Sequence, residues 1–174
     1  TPMWLMTRGG WENRDSIDAF AFYARTAFEL FGDLVDKWTT FNEPLVHVEC
    51  GYLYQYHYPA VVDFKRATQV AYHTLLAHKA AIKAFREVTQ TGKIGIILNI
   101  SPTYPKSEAK EDMLAAFRSD LLNTRSFLDP AVLGTIPDEL LVLLKENELL
   151  PETKAEDHKL IENNIVDFIG LNYY

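Results

Sequence analysis

A chain of 174 residues with 48% hydrophobic and 24% charged residues has the make-up of one globular domain or a large part of one, which excludes a disordered segment. A formal net charge of −7 without a basic cluster argues against binding to nucleic acid or an anionic membrane. No apolar run reaches the length of a membrane span, and the single cysteine, Cys50, permits no internal disulfide, pointing to a reducing, cytoplasmic compartment.

Gly9-Gly10-Trp11 predicts a loop, with Asn13, Asp15 and Ser16 as caps for a helix whose apolar face carries Ile17, Phe20, Ala24, Ala27, Phe28 and Phe31. Gly32 is placed to stop that helix. A short strand through Trp38 to Phe41 follows, then a long aromatic loop from Gly51 to Pro59. Asp63 is placed to cap a long helix bearing Ala67, Val70, Ala71, Leu75, His78, Ile82 and Phe85, ending near Gly92. The unbroken apolar run from Ile94 to Ile100 has the pattern of a parallel strand covered on both faces. Beyond it a helix is expected to bury Met113, Leu114, Phe117 and Leu121, then an irregular stretch around Asp129-Pro130 and a helix from about Asp138 to Asn147. A short helical segment near Ala155 to Asn163 leads into a last strand, Val166 to Leu171.

Strands alternating with helices predict an α/β protein with a parallel sheet. No strand is followed by a glycine-rich phosphate loop, which argues against a nucleotide-binding, doubly wound fold. Instead the strands end in Asn42-Glu43, Asn99 and Asn172. Polar groups delivered at the C-terminal ends of several strands are how a (β/α)8 barrel builds its site. Thr1-Pro2-Met3-Trp4 has neither an initiator methionine nor a basic leader, and Gly170 to Tyr174 reads as a strand with no turn after it, so residues 1–174 read as an internal fragment cut at both ends.

The run Lys37-Trp38-Thr39-Thr40-Phe41-Asn42-Glu43-Pro44 carries the strongest chemical signal. Breaking a glycosidic bond requires a carboxylic acid to protonate a poor leaving group, and burial at a strand end helps keep such an acid protonated. Proline after Glu43 is expected to hold the glutamate backbone extended and so aim its carboxyl. Asn42 can bond a sugar hydroxyl beside the reacting carbon. The alternative for Asn-Glu-Pro is an ordinary solvent-facing turn.

Thr40-Phe41-Asn42-Glu43-Pro44 resembles the acid/base motif of family 1 glycoside hydrolases, the β-glucosidase and 6-phospho-β-glucosidase family. Gly10-Trp11-Glu12-Asn13-Arg14 resembles the segment before that motif, and Asp167 to Tyr174 resembles the sixth barrel strand. The resemblance implies a (β/α)8 barrel of which this chain supplies approximately strands four to six. It implies a retaining mechanism with Glu43 as general acid/base, Asn42 at the 2-hydroxyl, and Asn172 and Tyr174 as substrate-binding residues near the catalytic pair. The alternative for Asn172 and Tyr174 is strand-end packing at the barrel mouth, and Asn99 divides between a structural role and a substrate contact. The nucleophilic glutamate belongs to a later strand, so the chain by itself is expected to be inactive. The aromatic segment from Cys50 to Pro59 looks more like that of bacterial 6-phospho-β-glucosidases than that of plain β-glucosidases or β-galactosidases. The competing class is a non-catalytic barrel fragment serving as a folding or interaction unit. Strands cut from a closed barrel expose their edges, so self-association is expected.

No metal site or cofactor is expected. His73 and His78 are five apart on one helix, the wrong spacing for two ligands on one face. His47 and His57 are expected to pack within the loop after Glu43, the alternative being a substrate contact. Tyr52, Tyr54, Tyr56 and Tyr58 are expected to pack against the next helix, the alternative being an aromatic wall near the aglycone, and Cys50 is expected to be inert.

Overall fold

Three parallel strands, β1 (Lys37–Asn42), β2 (Lys93–Asn99) and β3 (Phe168–Asn172), lie side by side in chain order in a computed structural model that describes residues 1–89 and 91–173. β2 is central. Gly95 to Asn99 pair residue by residue with Phe168 to Asn172, whereas the β1–β2 pairing slips: Thr39 faces Gly95, but Asn42 faces Ile97. β1 therefore advances three residues where β2 advances two, and one residue is bulged out.

A long helix, α4 (Phe64–Val88), backs the sheet. Asp63 caps it as expected, accepting the Arg66 backbone N–H at 3.0 Å. At 1.5 Å per residue, 25 residues span roughly 37 Å, far more than the strands, so one end of α4 projects beyond the sheet. Its alanine-rich inner face lets the helix lie close, with Ala77, Ala81, Leu76 and Ile82 fully buried. Ile96 and Leu98 of β2 pack with Leu75 and Leu76, and Ile94 packs with Ile82 and Phe85. Burying each of these large side chains is worth about 1.5–3 kcal/mol. α2 (Asp15–Phe31) lies along α4 and closes the core with Ile17, Ala24 and Phe28. Gly32 ends α2 as expected, although in a right-handed conformation.

The opposite face of the sheet is open. Lys37, Thr39 and Asn42 are exposed on it, and β1 and β3 each have one strand neighbour among the described residues. The expected cover on both faces is not seen among the described residues: Ile94, Ile96 and Leu98 of β2 are buried against the helices, whereas Ile97 and Asn99 on the other face are only half-buried. This is an α/β unit with a partial parallel sheet.

The remaining helices depart from expectation in informative ways. α1 (Met3–Met6) and a 3₁₀ turn (Gly10–Glu12) precede α2. The aromatic segment after β1 begins as a helix, α3 (Pro44–Tyr52), with Pro44 in its first turn, where its missing N–H costs nothing. α4 ends at Val88, short of Gly92. α5 (Lys110–Asp120) has no buried residue: Met113, Leu114 and Phe117 are 42–51% exposed where a buried face was expected. Only Leu121, at the next turn, reaches the core, against Leu140 and Leu144. The stretch around Asp129-Pro130 is helical, not irregular: a π turn (Leu121–Arg125) runs into α6 (Ser126–Leu133). α7 (Asp138–Glu146) and α8 (Asp157–Asn163) match their expected positions. Asp157, only 2% exposed, accepts from the two terminal guanidinium nitrogens of Arg14, from the Tyr72 hydroxyl at 3.0 Å and from the Lys154 backbone N–H at 2.9 Å, tying α8 to the segment before α2.

Candidate active site

The bulge in β1 decides which way the strand end points. In regular alternation Trp38, Thr40 and Asn42 would share one face. Instead Trp38, Thr40 and Phe41 are half-buried toward the helices, while Lys37, Thr39 and Asn42 are exposed on the open face. Phe41 stacks on Phe20 at 4.6 Å and meets Trp11 edge-on at 5.6 Å, which fixes it on the helix side. The extra residue at Thr40-Phe41 thus returns Asn42 to the open face.

Glu43 continues the pairing by one bond, its N–H donating to the Ile97 carbonyl at 2.8 Å. The chain then turns at once into α3. Glu43 takes φ 52°, ψ 63°, a left-handed conformation and not the extended one expected from the following proline. The proline ring bars the right-handed helical region to the residue before it. Extended backbone would carry the strand onward and away from α3. The left-handed region is what remains, at about 1–2 kcal/mol for a residue with a β-carbon. Strain of this kind at a non-glycine residue concentrates at functional positions.

Asn172 ends β3, two strands away. Its amide nitrogen donates to Glu43 Oε1 at 2.7 Å and to Asn42 Oδ1 at 3.0 Å, bridging over the end of β2. Three of the sequence-predicted site residues, Asn42, Glu43 and Asn172, therefore meet at one point at the C-terminal ends of the strands. Gly170 lets β3 lie close to β2, since a β-carbon there would come within 2.8 Å of the Ile97 side chain. Asn99 stands in register with Asn172 at the end of the middle strand. Tyr174 lies outside the described residues.

Three of the five histidines are held inside the fold, whereas His158 is exposed and His57, expected to pack within the loop, is exposed too. His47 Nε2 lies 3.1 Å from the Thr74 hydroxyl, and burial pushes its pKa down to about 4. His73 bonds the Trp11 carbonyl at 2.9 Å through Nδ1, and burial lowers its pKa too. His78 is fully buried with its Nδ1 2.7 Å from Thr40 Oγ1; burial first, then the neighbouring Lys79, push its pKa down to about 3. Of the four loop tyrosines only Tyr52 packs as expected, beside Val48, Ala67 and Val70, with its hydroxyl donating to Glu12 at 3.0 Å. Tyr54, Tyr56 and Tyr58 are exposed. Neither the bulge nor α3 is among the elements expected from the sequence. A signal for the bulge is present there, because Thr40 and Phe41 are adjacent and the apolar Phe41 breaks the alternation set by Trp38.

The chain matches the Glycosyl hydrolase family 1 profile over residues 1–174. It is 53% identical over 173 residues to the 6-phospho-beta-glucosidase GmuD of Bacillus subtilis, covering 99% of this chain and 37% of that protein. It is 44% identical over 174 residues to a 1,4-beta-D-glucan glucohydrolase of Thermotoga neapolitana, covering 99% of this chain and 40% of that one. The structure of a family 1 β-glucosidase from Thermotoga maritima superposes with a TM-score of 0.88 at 42% identity, over 99% of this chain and 38% of that chain. The chain thus spans about two fifths of the length of these relatives, and its three strands with their helices form part of the (β/α)8 barrel these glycosidases share. With that architecture, and with a family profile matched from end to end, the chain belongs to glycosyl hydrolase family 1.

Proposed function

We propose that residues 1–174 supply the acid/base half of a retaining β-glycosidase, as an internal part of one barrel domain. The observation that carries this reading is the convergence of Asn172 on both Glu43 and Asn42 at the strand ends. In the first step the Glu43 carboxyl gives its proton to the glycosidic oxygen as the bond from that oxygen to the anomeric carbon breaks. A carboxylate from a later strand attacks the same carbon and forms a glycosyl-enzyme. In the second step Glu43, now a carboxylate, takes a proton from the water that displaces that enzyme carboxylate. Asn172 orients the Glu43 carboxyl through its amide, and Asn42 presents its own amide beside it for a sugar hydroxyl. Tyr174 is assigned to the substrate side of the same site by family resemblance.

The substrate proposed is a β-glucoside, with 6-phospho-β-glucosides favoured by the 53% identity to a 6-phospho-beta-glucosidase. The plain β-glucosidase reading is supported by relatives at 43–44% identity. Comparing kcat/KM of the full-length protein on phosphorylated and free cellobiose decides between them, a preference for the free sugar reversing the assignment. Glu43→Gln in that protein is expected to abolish turnover of cellobiose-type substrates, whose leaving groups need the proton, while sparing activated aryl glycosides more. Turnover unchanged on both would overturn the assignment. The isolated 174-residue chain is expected to turn over neither aryl-β-glucosides nor their 6-phosphates. Turnover in it that Glu43→Gln removes would reveal a nucleophile within this chain.

A further inference from the structure

We propose that Thr40, anchored by His78, is a positioning residue for Glu43: the pair locks the bulge that turns Asn42 and Glu43 onto the open face of the sheet. The inference rests on the reading of Glu43 as the acid/base. A pure core position beneath β1 would be filled adequately by leucine, and a fully buried imidazole is costly unless bonded. His78 is fully buried on α4 with one bonded nitrogen, Nδ1, 2.7 Å from Thr40 Oγ1; its Nε2 has no partner among the described residues. The histidine is therefore kept for its single bond to the bulged threonine.

The unpartnered nitrogen also fixes the direction of that bond. A buried N–H left without an acceptor is rarer and costlier than a bare lone pair. The proton therefore sits on Nδ1, which donates to Thr40 Oγ1, and the threonine hydrogen is left to point at the Gly95 carbonyl 3.4 Å away. Gly95 is the residue opposite Thr39, where the register slips. The relay from His78 through Thr40 to Gly95 thus joins α4, the bulged strand and its neighbour at the point of irregularity. Phe41 holds the bulge by apolar contact, which tolerates sliding; the Thr40 bond is directional. Loss of the bulge by a one-residue slip would turn Asn42 toward α4 and carry Glu43 off the point where Asn172 meets it.

The test uses the full-length protein with Thr40→Val, which keeps the shape and removes the hydroxyl, and Thr40→Ser, which restores it. Phe28→Leu serves as a control for lost stability, because Phe28 packs edge-on against Trp38 at 5.0 Å at the foot of β1, away from the bulge. Displacing a proton donor by about 1 Å costs on the order of 100-fold. Thr40→Val is therefore expected to lower kcat roughly 10- to 100-fold with KM within about threefold, since the lost alignment matters in the transition state. Thr40→Ser is expected to recover most of kcat, and Phe28→Leu to lower Tm with kcat kept. Nitrogen NMR of the unaltered protein should show His78 protonated on Nδ1. A Thr40→Val enzyme with unchanged kcat, serine no better than valine, or an Nε2-protonated His78 would each overturn the proposal. Should Thr40→Val fail to fold, the serine variant and the tautomer still decide. Full activity in Glu43→Gln would instead overturn the acid/base reading, and the tautomer, which needs no turnover, tests the anchor separately.

Discussion

Lys79 offers the sharpest test of how the core is held together. Its side chain is fully buried, and its Nζ donates to the Pro130 carbonyl at 2.5 Å and the Asn164 carbonyl at 2.8 Å. Pro130 lies in α6 and Asn164 directly follows α8, so the ammonium pins the C-terminal ends of two helices, whose dipoles favour a cation there. Burial outweighs that help and pushes the Lys79 pKa down from 10.5 to about 8. Because the folded pKa is the lower one, the unfolded chain binds more protons between pH 8 and 10.5, and stability must rise with pH across that window. At 1.36 kcal/mol per pH unit the whole window is worth about 3 kcal/mol, of which about 2 accrue by pH 9.5. Lys79→Met keeps the volume and removes the charge. At pH 7 it relieves the desolvation but strands the Asn164 carbonyl, a loss of about 1–3 kcal/mol, so the variant should lie within about 2 kcal/mol of the parent. The assay is urea unfolding of both proteins from pH 7 to 9.5. The stability difference should move in favour of the parent by about 2 kcal/mol over that range, the tyrosines and other lysines cancelling between the two proteins. A difference independent of pH would refute the reasoning, because it would mean that Lys79 is charged equally easily folded and unfolded.

Gly95→Ala would place a β-carbon 2.5 Å from the Phe168 carbonyl oxygen and 2.7 Å from its ring, so it is expected to cost about 2–3 kcal/mol in an unfolding experiment. Unchanged stability would show that β3 can shift away freely. The isolated chain, with one open edge on each of β1 and β3, is expected to show a concentration-dependent sedimentation coefficient. A monomer with a cooperative melt would refute that.

The parts of this molecule legible in the sequence are those governed by short-range rules. Asp63 as a cap, α4 as an amphipathic helix and β2 as a buried strand follow from local chemistry and periodicity. Asn42-Glu43-Pro44 stood out as a candidate site because a polar pair and a proline at the end of an apolar strand serve neither the core nor the continuation of the strand. What escaped depends on tertiary geometry. The bulge at Thr40-Phe41 depends on partners from other segments, Phe20 and Trp11 for Phe41 and His78 for Thr40. The left-handed turn at Glu43 arises from a proline that bars one conformation and a helix that must begin at once. The exposed face of α5 contradicts its own periodicity, and the loop tyrosines project outward despite their apolar rings.

The bridge from Asn172 to Glu43 spans 129 positions of the chain. Closing so long a loop costs more chain entropy than forming a helix turn, so this bond is expected to form after the local helices. On that ordering the Asn172 contribution to the direction of the carboxyl comes late in folding. A molecule that has every helix in place but lacks a docked β3 would look native in its far-ultraviolet spectrum and still lack the bond from Asn172 to Glu43. During synthesis the same ordering separates the strand that leads into Glu43 from the strand that bonds its carboxyl by more than a hundred residues of translation. A nascent chain would carry Glu43 long before Asn172 can reach it.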